Sequence, residues 1–365
     1  MLNKYLKTGL FLAILVYGVI VFGENTAIFT LKALPYGKVP SNRPLTDGKM
    51  HIYFCGTGNP QINTQNIRKP ACLAVITDHQ FLIFDAGEGA IQTLAGMGLP
   101  VSQIHNVFIT HWHSDHFSGL GSLINETWSV GGRTEPMVVY GPYGVNEVIS
   151  GITQAYRLDV LFRSIAGGGA LQPELGFVSP KEIAMQALNK PVFTSEHLKI
   201  TPFEVDHLPV FPAFGYHLDW KGCKIVISGD TSVSTNLTKN AQNADVLINE
   251  AESRPLYQAF AEKLKKMVPS QDQGVSQMEA IASYHSDTLA LAKMAQKASV
   301  KKLILTHLLP VIITTKAAKQ AFVAGMNQYY FGPMIVADDR DELVIESDGN
   351  ICRTTYKPEQ EINVQ

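Results

Sequence analysis

Four short apolar runs in this chain each end at a residue able to bind a metal or move a proton. Val107 to Thr110 stops at His111, Lys224 to Ser228 at Gly229 and Asp230, Val246 to Asn249 at Glu250, and Leu303 to Thr306 at His307. Runs of this length, rich in β-branched and aliphatic residues and closed by polar ones, read as buried strands. In an α/β sheet the carboxyl ends of such strands gather along one edge, where ligands bind. Residues nearly 200 positions apart are thus expected in one pocket.

His51 to Cys55, Cys72 to Thr77, Phe81 to Phe84 and Met137 to Tyr140 add further strands. A helix is expected over Asp287 to Val300, because Thr288, Leu291, Ala295 and Ala298 share one face and Ser286 or Asp287 can cap its first turn. Gly167, Gly168 and Gly169 mark a flexible loop inside an irregular stretch from about 160 to 190, and residues 346–365 read as a polar tail. No repeat, low-complexity tract or linker divides the chain.

The densest chemical signal is His111-x-His113-x-Asp115-His116. Imidazoles and carboxylates suit zinc or a similar first-row ion, and four of them within six residues concentrate charge and desolvation cost unless an ion is bound. One short loop cannot encircle a single ion with all four side chains. The alternation therefore points to two ions, His111 and His113 on one, Asp115 and His116 on the other. Such pairs sit ~3.5 to 4 Å apart and promote hydrolysis by activating water between them.

Composition narrows the partners. Lys+Arg number 30 against 32 Asp+Glu, a formal net charge of -2, which argues against a surface built to neutralise nucleic-acid phosphates. Hydrophobic residues at 45% and charged residues at 17% exclude a disordered chain. Lys4 and Lys7 precede an uncharged run from Gly9 to Phe22, so residues 1–23 read as a secretory signal, with an uncleaved anchor or a buried element as alternatives. Removing them moves the net charge from -2 to -4 and leaves 24–345 as the catalytic domain, periplasmic or secreted. Cys55, Cys72, Cys223 and Cys352 form no CxxC pair; export would permit disulfides, but small buried apolar side chains are the favoured reading.

The HxHxDH loop, with His51-Ile52-Tyr53-Phe54-Cys55-Gly56-Thr57-Gly58, Phe84-Asp85-Ala86-Gly87-Glu88-Gly89, Tyr140-Gly141-Pro142, Ser228-Gly229-Asp230-Thr231 and Leu305-Thr306-His307, resembles the metallo-β-lactamase superfamily, in particular the branch of ribonuclease Z and secreted arylsulfatases. The resemblance spans about residues 50 to 345. It implies an α/β fold, a four-layer αββα sandwich, with two Zn2+ or another divalent first-row metal at one edge. It places His111, His113 and His207 on the first ion, Asp115, His116 and His307 on the second, and Asp230 between them. His207 alone is a weak signal; its setting in Val205-Asp206-His207 ahead of Phe214-Gly215-Tyr216 carries it. Asp85 is expected to brace the histidine loop rather than bind an ion.

Asp115, Glu250 and His285 are the catalytic candidates. Glu250 and His285, the latter 22 residues before His307, match a glutamate and a histidine that ribonuclease Z enzymes use, and a carboxylate beside an imidazole prepares it to donate a proton to a leaving oxygen. Two departures bear on substrate. The family's His-Glu-Ala-Thr box reads Asn249-Glu250-Ala251-Glu252, and only 22 residues separate His207 from Asp230, too few for a tRNA-gripping arm there. The expected activity is hydrolysis of a phosphodiester or sulfate ester of small-molecule size, with tRNA disfavoured, a membrane partner only if the N-terminal segment stays attached, and a homodimer left open. Hydrolysis of a lactone, thioester or β-lactam is the runner-up, and a non-catalytic metal-binding relative the third reading. Trp112, Phe211, Phe214 and the 160–190 stretch are the candidate pocket lining.

Overall fold

The computed structural model describes residues 39–60, 68–267, 280–349 and 351–359. The chain divides after Pro40, and the fold is that of the unit Ser41–Gln365. Residues 1–23, expected to be an export signal or anchor, lie outside the described residues. Among the described residues no helix is long and apolar enough to cross a membrane.

The strands in chain order are β1 (Met50–Gly56), β2 (Cys72–Thr77), β3 (Gln80–Phe84), β4 (Ile104–Phe108), β5 (Met137–Gly141), β6 (Val178–Glu182), β7 (Phe193–Thr194), β8 (Leu198–Glu204), β9 (Phe214–Trp220), β10 (Cys223–Ile227), β11 (Val246–Glu252), β12 (Leu303–Leu309), β13 (Met334–Val336), β14 (Glu342–Ser347) and β15 (Cys352–Lys357). They form two mixed sheets, β15-β14-β1-β2-β3-β4-β5-β6 and β13-β12-β11-β10-β9-β8-β7. All eight expected strands are present. They read as unbroken apolar runs because both faces of each sheet are covered.

Three buried layers account for that cover. Between the sheets, Ile52, Phe54, Phe84 and Phe108 meet Phe214, Tyr216, Trp220 and Ile225. On the outer face of the first sheet, Ile76, Ile83 and Val107 pack on α1 (Ala90–Gly96) and α2 (Leu120–Ser129) through Ile91, Leu94, Leu123 and Ile124. Two more helices, α3 (Val145–Ala166) and α4 (Arg254–Met267), precede α5 (Thr288–Lys297). On the outer face of the second sheet, Val226, Leu247 and Leu303 pack on Leu291 and Ala295 of α5. Helix, sheet, sheet, helix is the αββα sandwich expected from the resemblance. Asp287 caps α5, accepting from the Ala290 amide at 3.0 Å, while Ser286 instead donates to the Thr231 carbonyl.

Several local expectations are overturned. The stretch from 160 opens as the end of the 22-residue helix α3, and Val178–Glu182 pairs in parallel with β5. Helix α3 was hidden because Leu158, Leu161, Phe162 and Ile165 are exposed while Val145, Ile149 and Val160 are buried, so apolar residues fall on both faces. The supposed tail contains β15, an edge strand paired with β14. The cysteines are paired, Cys55–Cys72 and Cys223–Cys352. The first bridge ties β1 to its neighbour β2; the second joins β10 of one sheet to β15 of the other, an adjacency set by topology and not by sequence spacing.

The second bridge spans 129 residues, so breaking it releases a long loop in the unfolded chain. Replacing Cys223 and Cys352 with serine should lower stability by about 2–5 kcal/mol, read as a lower urea midpoint. A midpoint that does not move would show that β15 docks without the bridge.

Candidate metal centre

The site forms at the shared edge of the two sheets, and local backbone features aim its side chains. The β11–β12 register slips between Glu250 and Ala251, opposite His307, which adopts φ 44°. A bulge of this kind turns one residue out of the strand, and here it sends His307 into the site. Gly229, at φ 61°, lets the chain pass within van der Waals distance of Phe214 and Thr110; a Cβ there would sit 2.6 Å from the Phe214 carbonyl oxygen. The next residue is Asp230. Asp85, at φ 59°, follows β3 directly.

Asp85 braces the histidine loop. Its carboxylate accepts from the Thr110 amide at 2.8 Å and from the Thr110 hydroxyl at 2.9 and 3.1 Å. It also accepts from His116 Nδ1 at 2.7 Å. His111 Nδ1 lies 3.0 Å from Thr110 Oγ1, and His207 Nδ1 lies 3.2 Å from the Tyr284 carbonyl oxygen. With these Nδ1 atoms donating, the Nε2 lone pairs of His111, His116 and His207 are left facing inward, the arrangement of imidazoles oriented by outer partners.

Two groups of donors result. His111, His113, His207 and Asp230 form one, and Asp115, His116 and His307 the other; within each, candidate ligand atoms lie within 4.8 Å of one another. His113 Nδ1 is 3.0 Å from His111 Nε2 and 3.2 Å from His207 Nε2. His307 Nε2 is 3.0 Å from Asp115 Oδ2 and 3.3 Å from Asp230 Oδ2, and His116 Nε2 is 3.5 and 3.3 Å from the same atoms. Asp230 Oδ2 also reaches to 4.0 Å from His207 Nε2. All seven expected ligand side chains therefore converge, with Asp230 between the two groups.

This donor set fits a pair of divalent ions. Nitrogens around a tetrahedral zinc sit roughly 3.3 Å apart for bonds of ~2.0–2.1 Å, close to the spacings found. Lone pairs facing one another at about 3 Å repel unless a cation lies between them. His116 Nε2 and Asp230 Oδ1 are buried with no hydrogen-bond partner, a costly state that coordination would relieve. Burial would raise the Asp230 carboxyl, but His307 and His116 hold it well below the usual range. Burial holds His207 down, to about 4, favouring the neutral form that ligates. Burial also opposes charge on His116, yet Asp230, Asp115 and Asp85 outweigh it and push that imidazole well up; cations would supply the charge that the proton otherwise provides. Cys223, Asp245 and Cys352 also cluster, but both thiols are consumed in the disulfide.

Glu250 and His285 lie beside the donors. His285 Nδ1 is 3.2 Å from Glu250 Oε1 and 4.0 Å from Asp230 Oδ2. Glu250 Oε1 is fixed by the amides of Ser286 at 2.7 Å and Thr231 at 3.2 Å. Burial disfavours charge on His285, but Glu250 and Asp230 prevail and push it up to about 9. Glu252, which departs from the box of the resemblance, is buried with neither oxygen hydrogen-bonded, and burial pushes it up to about 7.

A cavity of about 370 Å3 opens onto the centre, reaching His113, Asp115, Asp230, His285 and His307. Its outer wall is Tyr257, Phe260, Ile281 and Tyr284. The structure corrects the expected lining. Phe214 is in the core between the sheets, Trp112 packs edge-on against Phe117 and donates to the Tyr143 carbonyl, and neither these, Phe211 nor the 160–190 stretch borders the cavity. The roles of Thr110 and of the four wall residues were not anticipated. For Tyr284 its place beside His285 was a usable signal; Tyr257 and Phe260 sit on a helix that the sequence pattern did not reveal.

A family model described as "Anti-Pycsar protein Apyc1" matches residues 50–147. Ribonuclease Z of Mycolicibacterium gilvum is 29% identical over 265 residues, 72% of this chain and 85% of the relative. Ribonuclease Z of Mycobacterium avium is 24% identical over 300 residues, 82% of this chain and 99% of the relative. Among solved structures, the metallo-β-lactamase fold protein YhfI from Bacillus subtilis superposes with a TM-score of 0.57 at 18% identity, covering 81% of this chain and 99% of that one. The short form of human tRNase Z superposes with a TM-score of 0.55 at 23% identity, covering 81% and 98%. These likenesses in structure concern the fold.

Proposed function

We propose that the chain is a metal-dependent hydrolase of the metallo-β-lactamase superfamily, as its likeness to ribonuclease Z proteins and its fold support, and that it cleaves a phosphodiester or sulfate ester of small-molecule size with two zinc ions. The observation that carries this reading is Asp230 standing between two donor groups with the Glu250–His285 pair beside them. His111, His113 and His207 would hold one ion, Asp115, His116 and His307 the other, and Asp230 both. When bound, the ions supply Lewis acidity and activate the attacking water.

The remaining chemistry belongs to the chain. Glu250, anchored by two amides, orients His285 and favours its protonated form, so that His285 can pass a proton to the departing oxygen. Asp85 and Thr110 keep His111 and His116 aimed inward. Tyr284 and Tyr257 limit the water that reaches the centre from the cavity side.

Transfer RNA is not the substrate on this reading. The interval between His207 and Asp230 is taken up by β9 and β10, a tight antiparallel pair with no room for a gripping arm. The two disulfides support an oxidising, exported compartment, since paired cysteines persist there and are rare in the cytosol. The test is a parallel assay of the metal-loaded protein on an aryl phosphodiester, an aryl sulfate, a lactone and a β-lactam. Ester turnover without lactone or lactam turnover is the expected outcome; the reverse pattern would replace the proposal with acyl hydrolysis.

A further inference from the structure

The cavity beside the metal centre is charged on one side only. Its floor carries the ligands Asp115 and Asp230, while its outer wall is Tyr257, Phe260, Ile281 and Tyr284, with Leu309 and Pro60 at its margin. Among the described residues that border it, none is a lysine or arginine. The Tyr284 ring lies 4.9 Å from that of His207 and 5.0 Å from that of His285, so this aromatic surface begins at the reacting centre itself. Tyr257 is buried, whereas Phe260 is 43% exposed, a large ring left unpacked at the outer end of the wall.

We propose that this wall is the specificity subsite for the part of the substrate that does not react, and that it takes one uncharged planar ring. The inference rests on the ester hydrolysis proposed for this centre. The reacting group brings one negative charge, which the ions meet. A second negative charge in the substituent would lie against Tyr257, Phe260 and Ile281, away from His285 at the reacting end and, among the described residues that border the cavity, with no lysine or arginine to answer it; burying it unpaired there is unfavourable. A flat ring, by contrast, finds aromatic faces for offset or edge contacts. At about 370 Å3 the cavity is near the lower end of small-molecule sites and holds one such group rather than a chain of them.

Stable phosphinates separate this inference from turnover, because their carbon–phosphorus bonds are not hydrolysed. Binding of methylphenylphosphinate, dimethylphosphinate and the para-carboxy derivative of the first is measured by calorimetry on the metal-loaded full chain. The phenyl compound should bind at least about tenfold more tightly than the dimethyl compound, a difference of ~1.4 kcal/mol, and the added carboxylate should erase that advantage. Phe260→Ala and Ile281→Ala should each cut the ring preference to about threefold or less. Equal affinities in the unsubstituted protein, or a ring preference unchanged in both variants, would overturn the subsite. Absence of ester turnover beside an intact ring preference would overturn the reaction instead and leave the subsite standing.

Discussion

Asp230→Ala should lower kcat/KM for any hydrolysed ester by about a thousandfold or more, which corresponds to ~4 kcal/mol of transition-state stabilisation. The expectation follows from position. Asp230 Oδ2 is 3.3 Å from both His116 and His307 and 4.0 Å from His207, so one carboxylate serves both donor groups. Without it, six remaining donors hold two cations with one carboxylate, Asp115, among them, and mutual repulsion of the ions is poorly offset. Metal content should fall with activity. The protein itself should still fold, because the sandwich is held by the three apolar layers rather than by the site. Activity within about tenfold of the parent would remove Asp230 from the bridging role.

His285→Ala should produce a different pattern, a loss that depends on the leaving group. A positioned acid contributes about 10²–10⁴-fold where the departing oxygen needs a proton. Esters of alkyl alcohols should therefore lose on that scale, and esters of acidic nitrophenols far less, because their oxyanions leave unaided. Glu250→Gln should shift rates in the same direction through His285, since Glu250 contacts the imidazole and is itself fixed by the Ser286 and Thr231 amides. The check is a plot of log kcat/KM against leaving-group pKa, steeper in both variants than in the parent. Parallel lines would show that His285 shapes the site without moving a proton.

Much of this site was legible because ligand chemistry is local in type even when it is distant in sequence. His111, His113, Asp115 and His116 announce themselves by spacing, and Asp230 and His307 by ending apolar runs. What ranked His207 above any other lone histidine was the order of motifs in the resemblance. The parts that stayed hidden depend on tertiary packing. Cys223 and Cys352 meet only because β15 returns to the rim of the first sheet near β10 of the second. Phe214 alternates into the core, a choice fixed by the register of β9 against β8 and β10. Tyr257 and Phe260 stand one turn apart on α4, but Ile281 and Tyr284 reach the same wall from a separate segment, so no single periodicity joins the four.

The same contrast explains the backbone of the site. A bulge at His307 and left-handed turns at Asp85 and Gly229 are departures from regular geometry that propensity does not signal. For residues other than glycine such conformations cost of order 1–3 kcal/mol and persist where surrounding structure compels them. Here each lies within one residue of a ligand or of a side chain that braces one.

Two ions held by seven side chains are the premise of the proposed chemistry, and elemental analysis of the purified, dialysed protein counts them directly. Two zinc-like ions per chain, falling on Asp230→Ala, is the predicted result. One ion per chain, or none after loading with excess zinc, would contradict it.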